Sequence, residues 1–201
     1  MNTKVSDDLA HIRSMMERSS RFISLSGLSG VVAGVIALLG AAIGYYLLSQ
    51  SPSYDTDIAN PTPQVVKYFS LAVGILISAL GSGFVITRNK SKRLGLPLYT
   101  ATTKKMLWSL AVPLLCGGIF SLALIYHENF AYIAPVMLIF YGLALCSVEK
   151  YTFEDVKYLG LLELTLGFCN LFLLGYGLLF WTIGFGILHI LYGLILYKKY
   201  N

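Results

Sequence analysis

A bundle of transmembrane α-helices is the all-α fold this chain predicts, on three observations. Its 201 residues are 56% hydrophobic and only 12% charged, with a mean hydropathy of +0.70, a balance outside that of ordinary soluble domains. Six apolar runs reach or approach the roughly 20 residues that cross a hydrocarbon core about 30 Å thick. Lysine and arginine gather between alternate runs, as orientation in a membrane requires. The net charge of +5 therefore reads as topology and not as a nucleic-acid footprint.

The chain divides into a cytoplasmic segment, 1–21, and a six-helix transmembrane domain, 22–201. In the first, "SDDLAHIRSMMER" sets Leu9, Ile12, Met15 and Met16 at helical spacing, with acids near its start and Arg13 and Arg18 later, which predicts a short amphipathic helix. It suits the inner membrane surface or the underside of the bundle. The first apolar run is far longer than the core of a signal peptide, so the N-terminus is expected to be retained.

The spans are expected at Phe22 to Leu48, Val65 to Thr87, Met106 to Tyr126, Phe130 to Val148, Val156 to Leu174 and Gly177 to Tyr197. The Pro- and Asx-rich stretch "SQSPSYDTDIANPTP" reads as an outer loop. Lys4, Arg13, Arg18 and Arg21 precede the first span, Arg88, Lys90, Lys92, Arg93, Lys104 and Lys105 fill the second loop, and Lys150, Lys157, Lys198 and Lys199 sit at later inner ends. Three hairpins with both termini cytoplasmic account for this pattern, and Lys67 alone falls outside. The basic second loop suits anionic headgroups as well as orientation.

Small residues are frequent in the first two spans, at Gly27, Gly30, Gly34, Gly40 and Gly44, then at Gly74, Ser78, Gly81 and Gly83. In lipid, such residues let helices approach closely, so these two spans are expected to pack together. The G-x-x-x-G steps Gly30 to Gly34 and Gly40 to Gly44 also suit a homo-oligomer seam. Pro113 and Pro135 are expected to kink the third and fourth spans. Cys116, Cys146 and Cys169 lack C-x-x-C spacing and read as small packing residues.

The fifth span carries the one acid well inside a run. "TFED" predicts a capping box from Thr152 to Asp155, which puts Glu163 roughly 16 Å along the helix axis, within the hydrocarbon. Gly160, Glu163, Gly167 and Asn170 recur at helical steps on one face. In the sixth span Thr182, Gly186, His189 and Gly193 do the same. The connection "GYG" predicts a tight hairpin about Tyr176, from which Glu163 and His189 are each thirteen positions distant and Asn170 and Thr182 each six. The two stripes are thus expected to meet, Glu163 on His189 and Asn170 on Thr182. Such a pair is either neutral and hydrogen-bonded or an ion pair, and either serves as interhelical glue or handles a proton. Metal or haem ligation lacks a second ligand near His189, and no cofactor is expected. Most tryptophans and tyrosines fall toward span ends, where Trp181 reads as an anchor or a pocket wall.

"MERSSRFISLSGLSGV", "YTFEDVKYLGLLELTLG" and "GYGLLFWTIGFGILHILYG" together resemble a family of uncharacterised bacterial multi-pass membrane proteins. The resemblance implies a bacterial inner membrane and carries no activity or functional residues with it. "HEN" at His127 is not the zinc motif H-E-x-x-H, and there is no G-x-S-x-G or Walker loop, so an enzyme is not expected. Two readings remain: a structural, sensory or regulatory membrane component, and a small proton-linked transporter or channel using Glu163 and His189.

Overall fold

The computed structural model describes residues 26–50, 62–95 and 97–200. The segment 1–21, for which an amphipathic helix is expected, and residues 51–61 of the Pro- and Asx-rich stretch before the second span lie outside the described residues. The described elements are helices: α1 (Gly27–Ser49), α2 (Thr62–Arg93), α3 (Ala101–Tyr126), α4 (Ile133–Val148), α5 (Asp155–Phe172), α6 (Gly177–Trp181), a π-helical segment (Thr182–Leu188) and α7 (His189–Tyr200). The last three run on without a break as one rod. Five of the helical stretches are long and apolar enough to cross a membrane. The eighteen-residue α5 is the other long helix, and it carries Asp155, Lys157 and Glu163.

Several boundaries differ from expectation for local reasons. α2 does not stop at Thr87 but continues through Arg93, and α3 begins at Ala101, so the six basic residues from Arg88 to Lys105 lie in helical turns. Basic side chains complement the C-terminal end of α2. The start of α3 is fixed by a reciprocal pair, Thr100 Oγ1 accepting from the Thr103 N–H at 3.1 Å while Thr103 Oγ1 faces the Thr100 N–H at 3.4 Å. The capping box expected at Thr152 does not form. α5 begins at Asp155 after Glu154 with no side-chain cap, Thr152 Oγ1 is buried without a hydrogen bond, and Asp155 meets Lys199 Nζ at 2.9 Å. Pro135 falls in the first turn of α4, where its missing N–H interrupts no bond; Pro113 lies inside α3, which remains one helix.

Packing follows the glycines. α2 does lie on α1, with Gly40 against Ile75 and Gly44 against Leu71. Gly74, Gly81 and Gly83 meet nothing within 4 Å. The other glycines of α1 face the rod: a Cβ at Gly30 would sit 3.2 Å from the Gly193 Cα, and one at Gly34 would sit 2.7 Å from the Gly186 carbonyl oxygen. The G-x-x-x-G steps of α1 are thus occupied within the chain. α5 lies chiefly along α4, not along the rod. A Cβ at Gly160 would come 2.8 Å from Cys146 Sγ and 2.9 Å from the Gly142 carbonyl, and one at Gly167 would meet Ile139 at 2.6 Å. The glycines of the two stripes therefore face different partners, Gly160 and Gly167 toward α4, Gly186 and Gly193 toward α1, while Glu163 of one stripe still meets His189 of the other. Of the cysteines, Cys146 packs, whereas Cys116 and Cys169 are exposed.

A buried cluster of Leu145, Val148, Phe153, Val156, Leu159 and Leu196 joins α4, α5 and α7 at the end that carries Lys150, Lys157 and Lys199. Farther along the bundle, between the same helices, lie its most deeply buried polar groups.

Candidate functional site

α5 turns Glu163 inward about 12 Å from its first residue, at 1.5 Å per residue, and the side chain has no exposed surface. α7 opens with His189, which is 7% exposed, and α4 contributes Tyr141 from its middle. The three converge on the imidazole. Tyr141 Oη lies 2.7 Å from His189 Nε2, the Gly184 carbonyl oxygen lies 2.9 Å from Nδ1, and Glu163 Oε1 lies 3.5 Å from the same Nδ1. A carbonyl oxygen only accepts, so Nδ1 bears a hydrogen and donates it to Gly184. Tyr141 then donates to Nε2 of a neutral ring or accepts from it in the cation.

The distance to Glu163 is that of a close ion-pair contact and exceeds ordinary N–H···O hydrogen-bond lengths. Neither carboxyl oxygen has a hydrogen-bond partner. Around the carboxyl the packing is tight: a Cβ at Gly184 would fall 2.5 Å from Oε2 and 2.6 Å from Leu138 Cδ2. Glycine at 184 leaves free the space that the acid and Leu138 occupy. Burying such a group without full hydrogen bonding costs free energy, about 2.5 to 3.5 kcal/mol for an ionised acid near a helix centre on insertion scales.

No family model, curated protein or solved structure matches the chain. What the centre can do follows from its own geometry. Gly184 belongs to the π-helical segment, and π-helical turns frequently occur at functional sites. The same stretch carries an aromatic ladder: Trp181 sits 5.2 Å from Phe185, which stacks on His189 at 5.9 Å, while the Tyr141 ring lies 5.0 Å from Phe185 across the interface. Trp181, an anchor or pocket wall by sequence, holds one end of this ladder.

Asn170 and Thr182 do not come together as expected. Asn170 Nδ2 donates to the Leu173 carbonyl at 2.9 Å and Thr182 Oγ1 to the Leu178 carbonyl at 2.6 Å, so each polar side chain serves its own backbone. Asn170 is nonetheless fully buried, with Oδ1 unpaired. A groove of about 530 Å³ opens between α1 and the start of the rod, lined by apolar groups such as Leu38, Ala42, Leu178 and Leu179 together with Tyr45 and Thr182. Glu163, Tyr141 and His189 are not on its wall. Among the described residues no three His, Cys, Asp or Glu side chains converge as a metal site would need.

Sequence reasoning missed Tyr141 and Gly184. The signal available for the first was its place at the middle of an apolar run, away from the ends that tyrosine favours.

Proposed function

We propose that this chain is a six-span protein of the bacterial inner membrane with both termini cytoplasmic, and that it acts as a structural, sensory or regulatory component. It is neither enzyme nor carrier in this reading. α5 is the sixth crossing: at 1.5 Å per residue its eighteen residues reach about 27 Å, close to the hydrocarbon thickness, and its internal acid turns toward protein. The basic turns at Arg88, Lys90, Lys92, Arg93, Lys104 and Lys105 suit the cytoplasmic face and its anionic headgroups.

One observation carries the choice against transport. Both ring nitrogens of His189 are held by partners inside the bundle, Tyr141 on one side and Gly184 on the other. A ring so fastened ties three elements together. The carboxyl oxygens of Glu163, buried without a hydrogen-bond partner, favour the second reading, a proton-linked transporter or channel, because an acid of this kind is the usual mark of a proton path.

Liposomes loaded with a pH-sensitive dye separate the two. Under an imposed gradient, wild type and Glu163→Gln are expected to leak protons equally; flux in the wild type that disappears in a folded E163Q protein would overturn the regulatory reading. The crossing by α5 is tested with single cysteines in a background whose native cysteines are replaced by serine. A membrane-impermeant maleimide should label Leu173→Cys in intact cells and reach Lys150→Cys only after permeabilisation; equal access would remove the sixth span.

A further inference from the structure

We propose that the hydrogen on Nδ1 of His189 has two resting positions, the Gly184 carbonyl and the Glu163 carboxylate, so that gain or loss of one proton at this centre changes how the π-helical segment is held against α1. The proposal rests on the sensory reading above and names what is sensed, the proton. One nitrogen faces both acceptors, at 2.9 Å and 3.5 Å, and a single N–H has one well-aligned partner at a time. An ionised Glu163 is the stronger acceptor, since charge-assisted hydrogen bonds are shorter and stronger than neutral ones. Neutralised, it releases the ring to Gly184.

The consequence passes through the backbone. In a π turn the backbone pairs a carbonyl with the N–H five residues on, and at Gly184 the residue five on, His189, also brings its imidazole N–H to that carbonyl. When the ring moves to Glu163, this buried carbonyl loses the imidazole donor and the segment loses its tie to that side chain. The segment cannot change width freely, because a Cβ at Gly34 of α1 would already lie 2.7 Å from the Gly186 carbonyl and 3.0 Å from the Ile190 nitrogen. Backbone meets backbone there, with the Ile190 side chain packed into the same contact.

The titratable groups facing the centre are Tyr141 from α4, Glu163 from α5, and His189 with Tyr192 one turn on from α7. α1 carries none between Gly27 and Gly44. Cys146 of α4 lies against Gly160, and the Asp155–Lys199 pair closes the far ends of α5 and α7. α3, which packs on α4, bears Lys104, Lys105, Cys116 and Tyr126. The only bond made or broken is the acid O–H, and its proton comes from and returns to water.

The test uses the full chain in lipid bilayers, labelled with ¹⁵N-histidine in a His11→Gln, His127→Gln background. Between about pH 5 and 8, where histidine-linked switches operate, the Nδ1 resonance should move between two protonated environments in the wild-type centre and stay fixed in Glu163→Gln. Glu163→Asp, which keeps the charge but shortens the reach, is the second variant and should also hold the ring on Gly184. Spin labels at Leu28→Cys and Leu194→Cys, with the native cysteines replaced by serine, should change separation with pH only when Glu163 is present. A ring signal unchanged over this range, a change that persists in E163Q, or a ring change with a constant label distance would each overturn the proposal. Failure here reads separately from proton flux: flux sinks the regulatory reading, an unresponsive ring sinks this one.

Discussion

Tyr141 and Glu163 reach His189 from different helices, and their removal should have different costs. Tyr141→Phe deletes one hydrogen bond and leaves Nε2 buried without a partner, which amounts to about 1 to 3 kcal/mol; denaturant titration in detergent would measure it, and an unchanged midpoint would exclude the 2.7 Å contact. In a double-mutant cycle, Glu163→Ala and His189→Ala should be non-additive by at least about 0.5 kcal/mol, as for side chains in contact. Gly184→Ala forces a methyl onto Oε2 and Leu138, an overpacking that costs about 1 to 3 kcal/mol. The acid and the imidazole were legible in the sequence because a polar residue inside an apolar run stands out, and counting outward from the "GYG" turn gives their depths. Tyr141 was not, in a chain with fourteen tyrosines. The Gly184 carbonyl leaves no mark in a sequence. Equal depth also misled: Asn170 and Thr182 are level by count, yet each satisfies a carbonyl of its own helix.

At the scale of elements, glycine decides which helices touch, and it does so with two grades of tolerance. A Cβ at Gly27 would strike backbone atoms of Tyr197 and Gly193, whereas one at Gly40 would strike the Ile75 side chain alone. Gly27→Ala should therefore lower the melting temperature in detergent more than Gly40→Ala, since a side chain can turn aside and a backbone cannot; the reverse order would mean that α1 does not lie on α7 as described. The positions of the helices were readable from hydropathy to within about six residues. Partner choice was not, because periodicity shows that Gly160 and Gly167 share a face without naming the helix opposite. Gly142, one glycine inside the fourth span, supplied the missing surface for α5. The π-helical stretch was likewise invisible, since its "TIGFGIL" reads as ordinary apolar helix.

For the molecule as a whole, α1 lies between α2 and the rod, while α4 binds α5 on one side and α3 on the other. α2 has no buried residue within its apolar window and packs chiefly on α1. Few buried contacts mean low local stability, so in hydrogen exchange followed by mass spectrometry the amides of α2 should lose protection before those of α4 and α5; simultaneous loss would show that the bundle opens as one unit. The uninterrupted course of α2 has a further result. Thirty-two residues at 1.5 Å each measure about 48 Å, well beyond a hydrocarbon layer of about 30 Å. Its last two turns form a stiff post at the end of the crossing, and any molecule that reads Arg88, Lys90, Lys92 and Arg93 meets cations at set heights and angles instead of on a wandering tether.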